Sequence, residues 1–291
     1  MTAAGAAPRH QAEQLASTLP PLLVAAERVA AVVSQGVHGR RRVGIGETFW
    51  QFRRYQPGEE TTRIDWRQTA KRAHVFIREN EWEAAQTVWL WADRSASMDF
   101  RSPLAAASKG ARANLLTLAL AVLLTRGGEY VGLLGTGGRP ATGNAAVTRL
   151  AEALSRDPGE AESLPPATAL PRHAQIVWFG DLLAPIETIE GVVKHFVGAG
   201  ARGHLVAVVD PAEETLPYAG RTRFVGLEGE GEILIGRPDA VRPGYTRRFD
   251  AHYRAIAELA RAAGWTMLMH HTDRPAQEAL MALYAALSQA V

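Results

Sequence analysis

A doubly wound α/β domain with a mostly parallel sheet is the fold class the sequence predicts, and three observations carry it. From Thr87 onward, short continuous apolar runs alternate with stretches of helical period. The runs are apolar throughout rather than at every second residue, as befits strands covered on both faces. The chain is also long enough, at 291 residues with 47% hydrophobic, to bury a substantial core without staples, and it contains no cysteine. That absence excludes disulfide scaffolds, thiolate zinc sites, iron–sulfur clusters and cysteine nucleophiles.

Taken in order, residues 1–35 read as a helical lead-in. Leu22, Leu23, Ala26, Val29, Ala30 and Val33 recur at intervals that place them on one helical face, with Pro20 and Pro21 at its start and Gly36 beyond its end. Residues 36–86 form a separate β-rich segment of Arg, Gly and aromatics, with Pro57-Gly58 as a turn. Residues 87–291 form the α/β domain. Its strands are expected at 87–92, 130–135, 175–180, 204–209 and 265–270, and its helices at 108–126, 145–155, 186–198, 245–263 and 275–289. A short strand pair at 222–227 and 232–235 reads as a hairpin insertion.

In such a sheet, ligands gather at the carboxyl ends of the strands. The first strand ends in Asp93-Arg94-Ser95-Ala96-Ser97, and Asp181 follows the strand Ile176 to Phe179. One loop thus carries a carboxylate and two hydroxyls, with a second carboxylate at the same sheet edge. Hard oxygen donors of this kind suit Mg²⁺, leaving a position for a partner's carboxylate. The competing reading is that Asp93 and Ser95 only satisfy loop backbone and cap the next helix.

Charge is informative through its placement. The net charge is +2, but residues 36–82 hold ten basic and six acidic side chains, while 83–291 hold twenty and twenty-two. So small an excess gives nucleic-acid binding no support. Within the segment, Gly44-Ile45-Gly46 to Phe49, Arg53-Arg54-Tyr55-Gln56-Pro57-Gly58-Glu59, Arg63-Ile64-Asp65-Trp66-Arg67 and Ile77-Arg78-Glu79 follow one another. This series, followed by Asp93-x-Ser95-x-Ser97, resembles the signature of the DUF58 family. Members of that family carry such a segment ahead of a von Willebrand factor A (vWA)-like, Rossmann-type domain.

The resemblance implies a metal-ion-dependent adhesion site. Ser95 and Ser97 would bind Mg²⁺, or Mn²⁺ or Ca²⁺, through their hydroxyls, with Asp93 and Asp181 acting through water. A threonine would complete the set, with Thr142 the first candidate and Thr168 and Thr136 the others. No organic cofactor is expected. The family's association with MoxR-type AAA+ ATPases implies a non-enzymatic partner or adaptor role in assembly, maturation or stress response. A metal-dependent hydrolase using Asp93 and Asp181 is the alternative.

Two readings of the basic-aromatic segment stand side by side. Arg53, Arg54, Tyr55, Arg63, Trp66 and Arg67 could form a partner-binding surface, since Arg and aromatics stack and fork onto carboxylates. Alternatively, Asp65 between Arg63 and Arg67 marks an internally paired network, with Trp66 in a core. No Walker A loop, Gly-x-Ser-x-Gly elbow or His-Glu-x-x-His pattern occurs, and the adjacent His270 and His271 read as structural. No secretory leader is apparent at the N-terminus, and Leu19–Val33 and Leu115–Thr125 are too short to span a bilayer, so a cytoplasmic protein is expected.

Overall fold

The computed structural model describes residues 21–37, 49–55, 64–71, 74–80, 86–156 and 162–289, which fall into two compact units. The larger comprises Met1–Val37 and Gln86–Val291, the smaller His38–Ala85.

The smaller unit is built on an antiparallel pair, β1 (Phe49–Arg54) and β2 (Phe76–Asn80), with one helical turn, α2 (Trp66–Thr69), between them. Phe76 is buried, and its N–H donates to the Thr69 hydroxyl at 3.1 Å. Of the residues expected to meet a partner, Arg53 and Arg54 close β1 and Tyr55 follows, its N–H bonded to Val75 O at 2.9 Å. Trp66 and Arg67 start α2, and Arg63 lies outside the described residues. Trp66 is 67% exposed, which corrects its assignment to a core. A single helical turn has no second turn with which to build a buried apolar stripe.

In the larger unit, helix α1 (Pro21–Val37) precedes the sheet strands β3 (Thr87–Ala92), β4 (Tyr130–Leu133), β5 (Gln175–Gly180), β6 (Arg202–Val209) and β9 (Thr266–His271). The order is β4-β3-β5-β6-β9 and every pair is parallel. Between the strands run α3 (Lys109–Arg126), α4 (Asn144–Ser155), α5 (Ile186–Gly198), α6 (Pro211–Thr215), α7 (Pro238–Ala262) and, last, α8 (Ala276–Gln289). The fold is therefore doubly wound α/β, with a core on each face of the sheet. Leu90, Val177 and Val206 pack with α1, α3, α4 and α8 on one side, and Trp178, Leu205 and Val209 with α5 and α7 on the other.

The sequence pattern explains the burial. All six residues of β5 are buried, so its continuous apolar run is the signature of a central parallel strand. Gly203 on β6 is needed for a different reason: a Cβ there would lie 2.2 Å from the Trp265 ring. An antiparallel hairpin, β7 (Thr222–Val225) and β8 (Glu232–Ile235), is inserted between α6 and α7.

Two helices depart from expectation. Helix α7 begins at Pro238, seven residues before the expected 245, and contains Pro243 in its interior. Proline is favoured at the first helical position but removes a backbone donor further in, so the sequence reads as a break where the helix continues. The short α6 arises from a capping box: Asp210 Oδ1 accepts from Ala212 N at 2.9 Å and Glu213 Oε2 from Asp210 N at 2.9 Å. Among the described residues no helix is long and apolar enough to cross a membrane.

Candidate functional site

Strand order reverses between β3 and β5, because β4 lies on one side of β3 and the later strands on the other. The carboxyl ends of β3 and β5 thus flank the topological switch point, the position at which open α/β sheets generally take their ligands. Asp93 and Asp181 are the first residues beyond those two ends, and Asp93 N donates to Phe179 O at 2.8 Å. The loop from β3 enters a 3-10 turn at Ala96–Asp99, which folds both serines back over the strand ends.

The four oxygen-bearing side chains form one continuous string. Ser95 Oγ donates to Asp93 Oδ1 at 2.6 Å, and Ser97 Oγ donates to Asp181 Oδ2 at 2.7 Å. Ser95 Oγ and Ser97 Oγ lie 3.1 Å apart. Each hydroxyl has a single proton, and with both carboxylates ionised both protons are committed to them. In that ionised state the two hydroxyl oxygens turn lone pairs toward each other. Their separation also matches the edge of an octahedron with Mg–O bonds near 2.1 Å, which is about 3.0 Å.

Close packing fixes Asp93 from behind. A Cβ on Gly180 would lie 2.9 Å from Asp93 Cβ and 3.0 Å from Oδ2, so only glycine lets β5 pass this close. Trp178 Nε1, buried and without a hydrogen-bond partner among the described residues, borders the same cradle. Burial pushes the Asp93 carboxyl up to about 7, against the opposing pull of its Ser95 hydrogen bonds and with help from the Asp181 and Glu228 charges.

A residue that the sequence reading passed over completes the arrangement. Lys109, at the start of α3 and 1% exposed, places Nζ 2.9 Å from Asp181 Oδ2 and 2.6 Å from Glu213 Oε1. Its ammonium also lies 5.9 Å from the Phe100 ring centroid. Burial alone would lower its pKa, but the Asp181 and Glu213 carboxylates outweigh burial and raise it, so Lys109 is charged. Tyr253 donates to Asp181 O at 2.7 Å and Tyr245 to Glu213 O, which ties α7 to the site.

Thr142 does not join the string, a correction to the expected ligand set. Ala141 pairs with Val131 through two hydrogen bonds of 2.9 Å, and Val131 is in register with Val88. Thr142 is thus level with the first residues of β3, about 20 Å of strand from Asp93 at ~3.3 Å per residue. Thr136 spends its hydroxyl on Leu133 O at 2.8 Å. Thr168 belongs to the loop whose Pro166 reaches Gly135, at the carboxyl end of the sheet. Neither bonds to the string.

The donor chemistry fits a hard divalent cation. Asp93, Ser95, Ser97 and Asp181 are all oxygen donors, and with Asp93 ionised the hydroxyl pair presents lone pairs. Among the described residues no three His, Cys, Asp or Glu side chains gather as a metal-ligand group, so such a cation would depend on the hydroxyls. His270 is buried 3.3 Å from Arg112 Nη1, and burial, then the Arg112 charge, lowers it to about 4, keeping it neutral.

Comparison with known proteins places the chain among relatives of unassigned activity. It is 27% identical over 282 residues to uncharacterized proteins Mb1516 of Mycobacterium bovis and Rv1480 of Mycobacterium tuberculosis, covering 90% of this chain and 86% of each relative. No solved structure matches. Residues 51–255 match the family described as protein of unknown function DUF58, from within β1 of the smaller unit to α7 of the larger, and the chain belongs to that family.

Proposed function

We propose that this protein is a divalent-cation-dependent interaction module with a vWA-like adhesion site, acting as partner or adaptor of a MoxR-type AAA+ ATPase. The observation that carries the cation is the pair of serine oxygens 3.1 Å apart, each bonded to a carboxylate, to which both serine protons are given once Asp93 is ionised. The ATPase is the partner that the resemblance of the upstream signature implies. Ser95 and Ser97 would hold Mg²⁺ directly, and Asp93 and Asp181 would orient its waters. The ion would supply a Lewis-acidic position for a carboxylate from the partner.

Titration calorimetry with Mg²⁺ and Mn²⁺ tests the cation, and pull-down of the ATPase with and without EDTA tests the partner. Binding of both should weaken at least about tenfold, a loss of ~1.4 kcal/mol, in Ser97→Ala. Capture that is unchanged by EDTA and by this substitution would refute the reading.

The alternative, a metal-dependent hydrolase, draws on Asp93 near neutrality and the Lys109 ammonium beside the same oxygens. Turnover of p-nitrophenyl phosphate that disappears in Asp93→Ala would favour it over the interaction module.

A further inference from the structure

The β7–β8 hairpin carries an unusual load of exposed apolar side chains. Val225, Leu227, Ile233 and Leu234 all stand in solvent, Ile233 at 60%, and Val241 on α7 adds a fifth. Between the hairpin and α7, with Leu216 just after α6 at one side, lies a groove of about 820 Å³. Leu216, Phe224, Ile235, Val241 and Tyr245 supply apolar wall, and the volume falls within the range of ligand and peptide clefts.

Charge distinguishes this groove from a bare apolar face. No carboxylate lines it, whereas Arg247 and Arg248 do. Neighbouring arginines are engaged: Arg223 with Glu232, Arg237 with Asp239, and Arg242 with the carbonyls of Leu216 and Tyr218. Arg247 and Arg248 are exposed and have no hydrogen bond or ion pair among the described residues. An apolar wall with two uncommitted guanidinium groups is complementary to a chain segment that mixes apolar and acidic side chains. β7 and β8 pair only with each other, so each has an outer backbone edge that an extended segment can join.

We propose that the groove between the β7–β8 hairpin and α7 is the docking site for an extended, acidic and apolar segment of a partner protein. Recognition there uses Arg247 and Arg248 and requires no metal. It is separate from the cation site, although Tyr245 touches both the groove and Glu213.

The test uses the full chain and two fluorescein-labelled dodecapeptides, one of Leu, Val, Glu and Asp, the other with Lys at every acidic position. Fluorescence anisotropy should show the acidic peptide binding at least tenfold more tightly than the basic one. The Arg247→Glu/Arg248→Glu variant should lose that preference while melting at the wild-type temperature, since both side chains are exposed. EDTA and Ser97→Ala should leave peptide binding unchanged, which separates this inference from the cation reading. Equal binding of the two peptides, or less than a twofold effect of the double variant, overturns it. So does sedimentation velocity showing self-association that the double variant abolishes, because the occupant is then a second copy. Capture by phosphatidylserine vesicles, lost in the double variant, would make the occupant a membrane and overturn it equally.

Discussion

Lys109 is the residue whose replacement is most informative. Its ammonium is the counter-charge for two carboxylates, one of them buried, and leaving such a charge unpaired costs roughly 3–5 kcal/mol. Because Glu213 is partly open to solvent, Lys109→Met should fall at the low end, about 3 kcal/mol by urea unfolding. The same substitution removes a competing cation from Asp181 Oδ2, so Mg²⁺ affinity measured by calorimetry should rise on the order of tenfold or more. Asp93 makes a pH prediction. The folded state keeps its proton to about pH 7, whereas the unfolded state releases it near 3.8, so the folded state binds more protons in between. Stability in EDTA should therefore fall as pH rises from about 4 to 7, by roughly 3–4 kcal/mol, and Asp93→Asn should remove that component of the melting-temperature profile. Asp93, Ser95, Ser97 and Asp181 could be read from the sequence because each follows a recognisable apolar strand, and parallel strands end together. Lys109 could not, since it reaches the site across a helix start and its partner Glu213 lies 104 residues away. Its one clue was rarity, as one of three lysines among 32 basic residues. Thr142 misled because a polar loop before a helix looks the same at either end of a sheet.

At the scale of elements, the spacing between β3 and β5 limits what the site can tolerate. Gly180→Ala would press a methyl group against the Asp93 carboxylate, and overpacking of this kind typically costs about 1–3 kcal/mol. A lowered melting temperature together with weakened Mn²⁺ binding is expected. Gly203→Ala, one strand further along, should cost more, since a Cβ there would lie 2.2 Å from the buried Trp265 ring, but without changing Mn²⁺ binding, because that neighbour is not a site residue. Comparing the two by calorimetry separates general crowding from damage to the site. Strands proved easier to recognise than helix ends for a physical reason. A run such as Gln175–Gly180 is apolar because both faces are covered, whereas the start of α7 depends on Pro238, and the exposed Pro243 within the helix imitates a break. The Asp210-Pro211-Ala212-Glu213 stretch, by contrast, spells a helix start that was there to be read.

For the whole molecule, α1 belongs to the same unit as the sheet although the smaller unit separates them in sequence. Leu23, Val29 and Val33 are buried against α3 and α8, and burying each such side chain contributes roughly 1.5–3 kcal/mol. A chain beginning at residue 38 should accordingly lose about 5 kcal/mol or fail to fold, with circular dichroism and urea unfolding as the measurement. The periodicity of α1 announced an apolar stripe, but no local signal could name its distant cover. That cover arrives late in the life of a nascent chain. Val37 and Ala276 are 239 positions apart, and at roughly 5–20 residues per second the ribosome needs roughly 12–50 s to make the interval. Throughout that time the stripe waits with only α3 and α4 to shelter it, so synthesis itself creates a window in which a chaperone could hold this helix.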